Sequence, residues 1–197
     1  MFDTYAFREE LYKILDKNGF DKSFLKYTPE LKAEGQKLLN IRELFKNLSY
    51  LKGIPLNNFI EPLEELYSRG EEFLYEDTID FLKYLKSGDN KIYILTWGEK
   101  EYQNEKIKSC RLDKYIDKVI FAEELKYTLD IDYKNGIFID DSIRDLEGLY
   151  KQKAKQVFKI KRENGKNSKE ELSIKEILEF NSLKEIQEYL SQRTFMN

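Results

Sequence analysis

One ten-residue stretch, GIFIDDSIRD at Gly136–Asp145, limits the possible fold of this chain more than any other segment. Its three apolar residues run directly into Asp140 and Asp141, and Ser142 then begins a helical pattern that contains Asp145. Such a run predicts a strand buried on both faces, as in a parallel sheet. Ligands of these sheets bind beyond the carboxyl ends of the strands, so the acids are candidates for cation binding or acid–base chemistry. Alternatively, Ser142 or Asp141 only caps the next helix.

Composition excludes several classes of site. The 197 residues include no histidine, which excludes Ser-His-Asp and Cys-His catalysis, histidine-ligated zinc and a histidine pH switch. The single cysteine, Cys110, permits no internal disulfide or thiolate metal cage and is expected to fill the core. A hydrophobic fraction of 41% is typical of a globular protein, and a net charge of -3 predicts neither nucleic acid nor a membrane as partner.

The sequence also predicts a location. No apolar run is long enough to cross a bilayer, and the first residues, MFDTYAFREE, do not resemble a signal peptide. A lone cysteine fits a reducing compartment. We therefore expect a soluble, cytoplasmic protein, and the sequence favours no particular oligomeric state.

Hydrophobic periodicity divides the chain into two parts. The first part predicts four short amphipathic helices, near residues 5–19, 24–31, 38–48 and 59–67. These helices can bury their apolar stripes only against each other or another layer, which indicates an accessory helical unit.

From residue 71 onward, predicted helices alternate with strands. The strands cover residues 91–97, 118–122, 137–141 and 156–160. This alternation predicts βαβ units and a parallel sheet. In the tail we predict helical patches at 174–178 and 182–190, and we interpret the basic residues between 151 and 169 as the solvated surround of an edge strand.

Polar side chains gather at the predicted carboxyl ends of these strands. Thr96 ends the first strand, Lys126 follows the second, Asp140 and Asp141 end the third, and Asp145 lies one turn further on. Together they would suit a phosphate monoester and a hard divalent cation, with the acids holding the metal and the other two neutralising phosphate oxygens. Each residue alone also has a purely structural explanation, such as a helix-capping acid in an α/β domain unrelated to phosphate.

In order and spacing these residues resemble the haloacid dehalogenase-like (HAD) hydrolases. The stretch ILTWGEKEYQNEKIKSCRLDKYIDKVIF is similar to the second motif of that family, Lys126 in AEELKYT to the lysine of the third, and IFIDDSIRD to the acidic fourth. The resemblance covers most of residues 71–165. It implies an α/β fold with a Rossmann-like parallel sheet, the HAD-like core at residues 1–8 and 71–197, and an inserted all-helical cap at residues 9–70.

The same resemblance implies a Mg²⁺-dependent phosphohydrolase that acts on a small phosphorylated metabolite through an aspartyl-phosphate. Asp141 would be a metal ligand, assisted by Asp140 or Asp145. Thr96 and Lys126 would be catalytic, and Lys126 would also steady the nucleophile. The residues that would contact the substrate lie at the second and third motifs: Thr96, Trp97, Gly98 and Lys126.

The first motif of the family, an apolar strand ending in Asp-x-Asp, has no good match. Asp3 is a candidate nucleophile, but Tyr5 stands where the second acid is required. A better alignment places MFDT just after the motif, with the central strand upstream of Met1. We then expect a split sheet, or direct pairing of the strands that end at Thr96 and Asp141. The chain would be a fragment, or a non-catalytic, regulatory member that binds metal and phosphate.

Overall fold

The computed structural model describes residues 1–26, 40–122, 125–163, 165, 167 and 170–194. Within these residues the helices are α1 (Thr4–Lys17), α2 (Ser23–Lys26), α3 (Ile41–Lys52), α4 (Asn57–Ser68), α5 (Thr78–Ser87), α6 (Lys100–Ser109), α7 (Ile143–Lys151) and α8 (Leu183–Thr194). The strands are β1 (Tyr93–Trp97), β2 (Lys118–Ala122), β3 (Ile137–Asp140), β4 (Gln156–Ile160) and β5 (Leu178–Phe180). None of the described helices has the length and apolar character that a membrane span requires.

The chain divides into two compact units. The first comprises Met1–Tyr75 and Gly98–Lys114, and the second comprises Glu76–Trp97 and Tyr115–Asn197. By its contacts, α6 therefore groups with the amino-terminal helices. The predicted boundaries of cap and core, which assign this helix to the core, stay a prediction.

The first unit is built from helices whose apolar faces meet. Its largest fully buried side chains come from α1, α3 and α4 and belong to one cluster, which includes Phe7, Leu15, Phe45, Phe59 and Leu63. Three of the four predicted amino-terminal helices are confirmed as α1, α3 and α4. The prediction near residues 24–31 overlaps α2, and its remainder lies outside the described residues. Burying these stripes against one another is the main stabilisation available to short helices.

A lysine lies within this helical unit. Lys106 of α6 is only 9% exposed, and its ammonium lies 4.2 Å from the ring centre of Phe2 and 5.4 Å from that of Tyr102. Burial lowers the pKa of Lys106 to about 8; the Cys110 thiol opposes this shift and the Arg8 guanidinium adds to it. The ring faces attract the cation but do not replace the water that it loses.

Lys106 is therefore expected to titrate near pH 8 in the folded protein, whereas a lysine of the unfolded chain titrates near the ordinary value of about 10.4. Because the unfolded chain binds more protons between these two values, stability should rise with pH across this window. The measurement is an NMR titration of the lysine side-chain carbons, with Lys106→Met to assign the signal. A midpoint for Lys106 near the ordinary lysine value of about 10.4 would contradict the assignment of a desolvated amine.

The second unit contains two parallel sheets. Strand β1 pairs with β2, with Thr96 opposite Phe121, and β3 pairs with β4, which in turn pairs with β5. Within the described residues β1 and β3 do not pair. Of the two arrangements predicted from the sequence, the split sheet is therefore the one observed.

The split changes the environment of β3. Its first residue, Ile137, is 44% exposed, whereas Phe158 on β4 is completely buried. The prediction that the IFID run is buried on both faces is thus wrong for Ile137. The physical reason is that, in the part of the chain that the structure describes, β3 pairs with β4 alone, so part of its apolar surface is left uncovered.

The tail also differs from prediction. The helical patch predicted at 174–178 is wrong, because residues 174–177 form a turn and residues 178–180 form strand β5, whereas α8 confirms the second helical patch. Strand β4 is consequently internal rather than an edge strand, and Lys159 on it is fully buried, with its ammonium 2.8 Å from Glu179 Oε2. A short apolar run does not distinguish a strand from a buried helical segment, and pairing with β4 decides the outcome.

Candidate functional site

A lysine and an aspartate meet at the carboxyl end of β3. The ammonium of Lys126 lies 2.5 Å from Asp140 Oδ2, and the two side chains are only 16% and 13% exposed. The backbone N–H of Lys126 donates to Asp145 Oδ1 at 3.1 Å. Two of the predicted acids therefore hold the predicted lysine directly.

The local backbone explains this meeting. Lys126 begins a 3-10 turn, Lys126–Thr128, that follows β2 and packs against both β1 and α7. Asp140 Oδ1 accepts the backbone N–H groups of Asp141 at 2.8 Å and Ser142 at 3.0 Å, which closes the turn from β3 into α7. Both oxygens of Asp140 are thus engaged within the site.

Ser142 completes the start of α7. Its hydroxyl oxygen accepts the backbone N–H of Asp145 at 3.4 Å, so the capping role considered for Ser142 is confirmed. Asp145 itself is 7% exposed and lies in the first turn of the helix, where the helix dipole favours a negative charge. Capping and site formation use the same few residues.

Charge in the site is unevenly balanced. Burial by itself would lower the pKa of Lys126, but the Asp140 carboxylate, with Asp145 and Asp141, raises it above its usual value. The pKa of Asp141 is raised, first by burial and then by the neighbouring Asp140 carboxylate. One ammonium therefore faces three carboxyl groups, and Asp141 lacks a full compensating charge.

Asp141 has a different partner from Asp140. The side-chain amide of Asn167 donates to Asp141 Oδ2 at 3.1 Å, across 26 residues of sequence. Both side chains are half-buried. A neutral amide can hold the carboxylate in one orientation and adds no positive charge to the site.

The acids of this site can be compared with the ligands that a magnesium ion requires. Within the described residues no three acidic, cysteine or histidine side chains are grouped so that they could hold a metal ion by themselves. Mg²⁺ does not need such a group, because it commonly keeps several waters and binds one or two carboxylates together with substrate phosphate. Asp140 is already bound to Lys126 and to the turn, and Asp145 Oδ1 accepts the backbone N–H of Lys126, so Asp141 is the acid with the fewest contacts to other charged groups of the site.

The remaining predicted residues lie as follows. Thr96 is half-buried at the end of β1, the strand that packs against the Lys126–Thr128 turn, and no hydrogen bond from Thr96 to the acids is found among the described residues. Trp97 is 53% exposed beside it. Gly98 and Asp3 belong to the first unit, where Asp3 Oδ1 caps α1 by accepting the backbone N–H of Ala6 at 2.9 Å.

Asn167 is the residue that sequence reasoning missed. It was part of the basic stretch interpreted as a solvated surround. The available signal was positional, because in a parallel sheet the loop that follows β4 must begin at the same edge as the end of β3. Polar residues in that loop were therefore candidates for the site.

Comparisons by sequence find no match, either among protein-family models or among curated proteins. Comparisons of structure do find matches. A dehalogenase with an intermediate complex has a TM-score of 0.57 at 20% identity, over 94% of this chain and 93% of the other.

Two further structures extend the comparison. A protein from Bacillus subtilis assigned as a HAD-hydrolase and bound to magnesium has a TM-score of 0.56 at 16% identity, over 96% of this chain and 93% of the other. A protein from Clostridium acetobutylicum described as a predicted phosphatase has a TM-score of 0.56 at 16% identity, over 96% and 92%. At such identities the likeness concerns the fold. The chain therefore has the α/β fold of the haloacid dehalogenase-like hydrolases.

Proposed function

We propose that this protein is a HAD-type phosphohydrolase that acts, with Mg²⁺, on a small phosphorylated metabolite. The observation that supports it is the group formed by Lys126, Asp140, Asp141 and Asp145 at the carboxyl end of β3, within a fold shared with hydrolases. Magnesium in the Bacillus subtilis structure and the phosphatase description of the Clostridium acetobutylicum protein support the same chemistry.

In this proposal the acids would bind the metal and the lysine would bind the phosphate. Asp141, with Asp145, would hold Mg²⁺, which supplies positive charge to phosphate oxygens when bound. Lys126 stays protonated through neutral pH, because its pKa is raised. Its ammonium has three donor hydrogens, and Asp140 needs one of them, which leaves two for a phosphate group.

The strand ends would complete the phosphate site. The Thr96 hydroxyl, at the end of β1, would donate to another phosphate oxygen. Trp97 and Gly98 follow it in sequence and stay candidates for substrate contact. Donors at these positions would offset the negative charge of a bound phosphate.

A second candidate function is metal and phosphate binding without turnover. The observation that favours it concerns Asp3, the nucleophile candidate from the sequence, whose carboxylate oxygen is used to cap α1. Attack on phosphorus through an aspartyl-phosphate requires a free carboxylate. A chain that keeps the cation site without such a group would bind its ligand and release it unchanged.

Asp141→Asn is expected to abolish stabilisation by Mg²⁺. A ligand that binds only the folded state raises its stability by RT ln(1 + [L]/Kd), about 2.7 kcal/mol at 100 times Kd. Wild-type protein should therefore show a melting temperature that rises with MgCl₂, and the variant should show none of this rise. Asp130→Asn, which alters an exposed aspartate outside the site, is the matched control and should respond as wild type does.

Hydrolysis of para-nitrophenyl phosphate then separates the two functions. Mg²⁺-dependent turnover that Asp141→Asn removes would support the phosphohydrolase. Mg²⁺-dependent stabilisation with no turnover would instead support the binding protein. An Asp141→Asn variant that Mg²⁺ still stabilises like wild type would overturn both.

A further inference from the structure

A side chain from the segment that follows β4 contacts the acidic end of β3. Asn167 lies in this segment, and its side-chain amide donates to Asp141 Oδ2 at 3.1 Å. Among the described residues it is the one side chain found to donate a hydrogen bond to that carboxylate. The other donors nearby go elsewhere, because Lys126 serves Asp140 and Asp145.

The described residues on both sides of Asn167 make contacts of their own. Before it, the Arg162 guanidinium lies 2.6 Å from Asp77 Oδ1, and both side chains are nearly buried, at 13% and 12% exposure. After it, the carbonyl of Glu170 accepts the buried ammonium of Lys159 at 2.5 Å, and the N–H of Glu170 donates to the Asn167 carbonyl at 3.2 Å. Arg162, Glu170 and the carbonyl of Asn167 are thus held by contacts that do not involve the acids.

Asp141 needs an orienting contact of this kind. Its carboxylate is half-buried and lies near that of Asp140. Electrostatic repulsion between the two carboxylates would turn Asp141 away from the orientation in which it binds a cation. A cationic partner would hold the group in place but would also cancel its charge. A neutral amide holds one oxygen and leaves the charge and the other oxygen for a metal.

We infer that Asn167 is a positioning residue for the cation site, one that holds the Asp141 carboxylate in the orientation that binds Mg²⁺. The inference rests on the proposed function, because it takes Asp141 as a metal ligand. Neighbours that orient a metal ligand typically contribute 10- to 100-fold in affinity.

Asn167→Ala is expected to weaken Mg²⁺ binding by about 10-fold, measured by isothermal titration of the full chain with MgCl₂ alone. The matched control is Asn135→Ala. Asn135 makes the same kind of amide-to-carboxylate contact, from its Nδ2 to Asp132 Oδ2 at 2.6 Å, in an exposed turn. This control should bind Mg²⁺ as wild type does.

A purely structural role for Asn167 predicts a different result. In that case the melting temperature without metal would fall while the Mg²⁺ affinity of the folded protein stayed the same, and the inference would be overturned. If Asn167→Ala does not fold, Asn167→Ser, whose side chain is too short to reach Asp141, replaces it with the same expected loss of affinity.

Different experimental results would overturn this inference and the proposed function. Wild-type protein that binds Mg²⁺ together with an Asn167→Ala variant that binds it equally well would overturn the inference alone. Wild-type protein that does not bind Mg²⁺ would overturn the proposed function and the inference with it.

Discussion

Lys126→Met is expected to lower the free energy of unfolding of the second unit by about 3–5 kcal/mol, the usual cost of removing one partner from a buried ion pair. The side chains of Lys126 and Asp140 are only 16% and 13% exposed, so the orphaned carboxylate would gain little from water. Asp145 and Asp141 lie close by and would increase the repulsion. Urea unfolding followed by fluorescence measures this loss, because the single tryptophan, Trp97, belongs to the same unit.

The pH dependence of this loss has a defined sign. The folded-state pKa of Lys126 is raised, so its contribution is fully present below the ordinary lysine value of about 10.4 and is lost as pH rises through the folded-state value. The difference between wild type and Lys126→Met should therefore be constant from about pH 7 to 9 and should shrink only at more alkaline pH.

The double variant Lys126→Met/Asp140→Asn is the control for charge. It removes both members of the pair, so it should recover much of the stability lost in the single variant. Equal losses in the single and double variants would contradict a charge effect and indicate lost packing of the lysine stem instead. Lys184→Met, at an exposed position on α8, should change stability by about 0.5 kcal/mol at most.

Phe158→Ala is the second large effect and should cost about 3–5 kcal/mol in the free energy of unfolding of the same unit. Phe158 is completely buried at the centre of β4, which is internal to its sheet. Its ring makes edge-to-face contacts with Phe180 and Tyr189, at centroid distances of 5.3 and 5.5 Å. Truncation would remove these contacts and leave a cavity between the sheet and α8.

Two comparisons make this prediction specific. Phe158→Leu keeps most of the apolar volume and should cost clearly less than Phe158→Ala, as measured by the urea midpoint. Tyr50→Ala removes a ring of similar size that is 88% exposed, and it should change stability by about 0.5 kcal/mol at most. A cost for Phe158→Ala no larger than that of Tyr50→Ala would contradict the central position of this ring.

Much of the site was predictable from local sequence. Asp140 follows an apolar strand and Lys126 follows another, and parallel strands bring their carboxyl ends to one edge. Their contact at 2.5 Å is a consequence of that rule. The contact of Asn167 with Asp141 could not be predicted in the same way. The two residues are 26 positions apart in sequence, and a residue in a loop has no periodic pattern that indicates its neighbours in space.

The structure of the carboxyl-terminal tail also could not be predicted from local sequence. The basic residues around β4 suggested an edge strand, yet Lys159 is fully buried and bound to Glu179 of β5. Three residues, Leu178–Phe180, are too few to show a strand pattern by themselves. Their conformation follows from hydrogen bonds to β4 and from the Phe180 ring against Phe158.

By itself the sequence determined the alternation of helices and strands, the absence of histidine chemistry and the gathering of acids after β3, because periodicity and composition are local properties. The tertiary structure alone decided how those acids are used. In the structure Asp140 binds the ammonium of Lys126, and Asp141 accepts a hydrogen bond from Asn167. The strands form two separate sheets, and Ile137 is partly exposed. The physical reason is that hydrogen-bond partners and strand neighbours are chosen by distance in space, which local pattern does not encode.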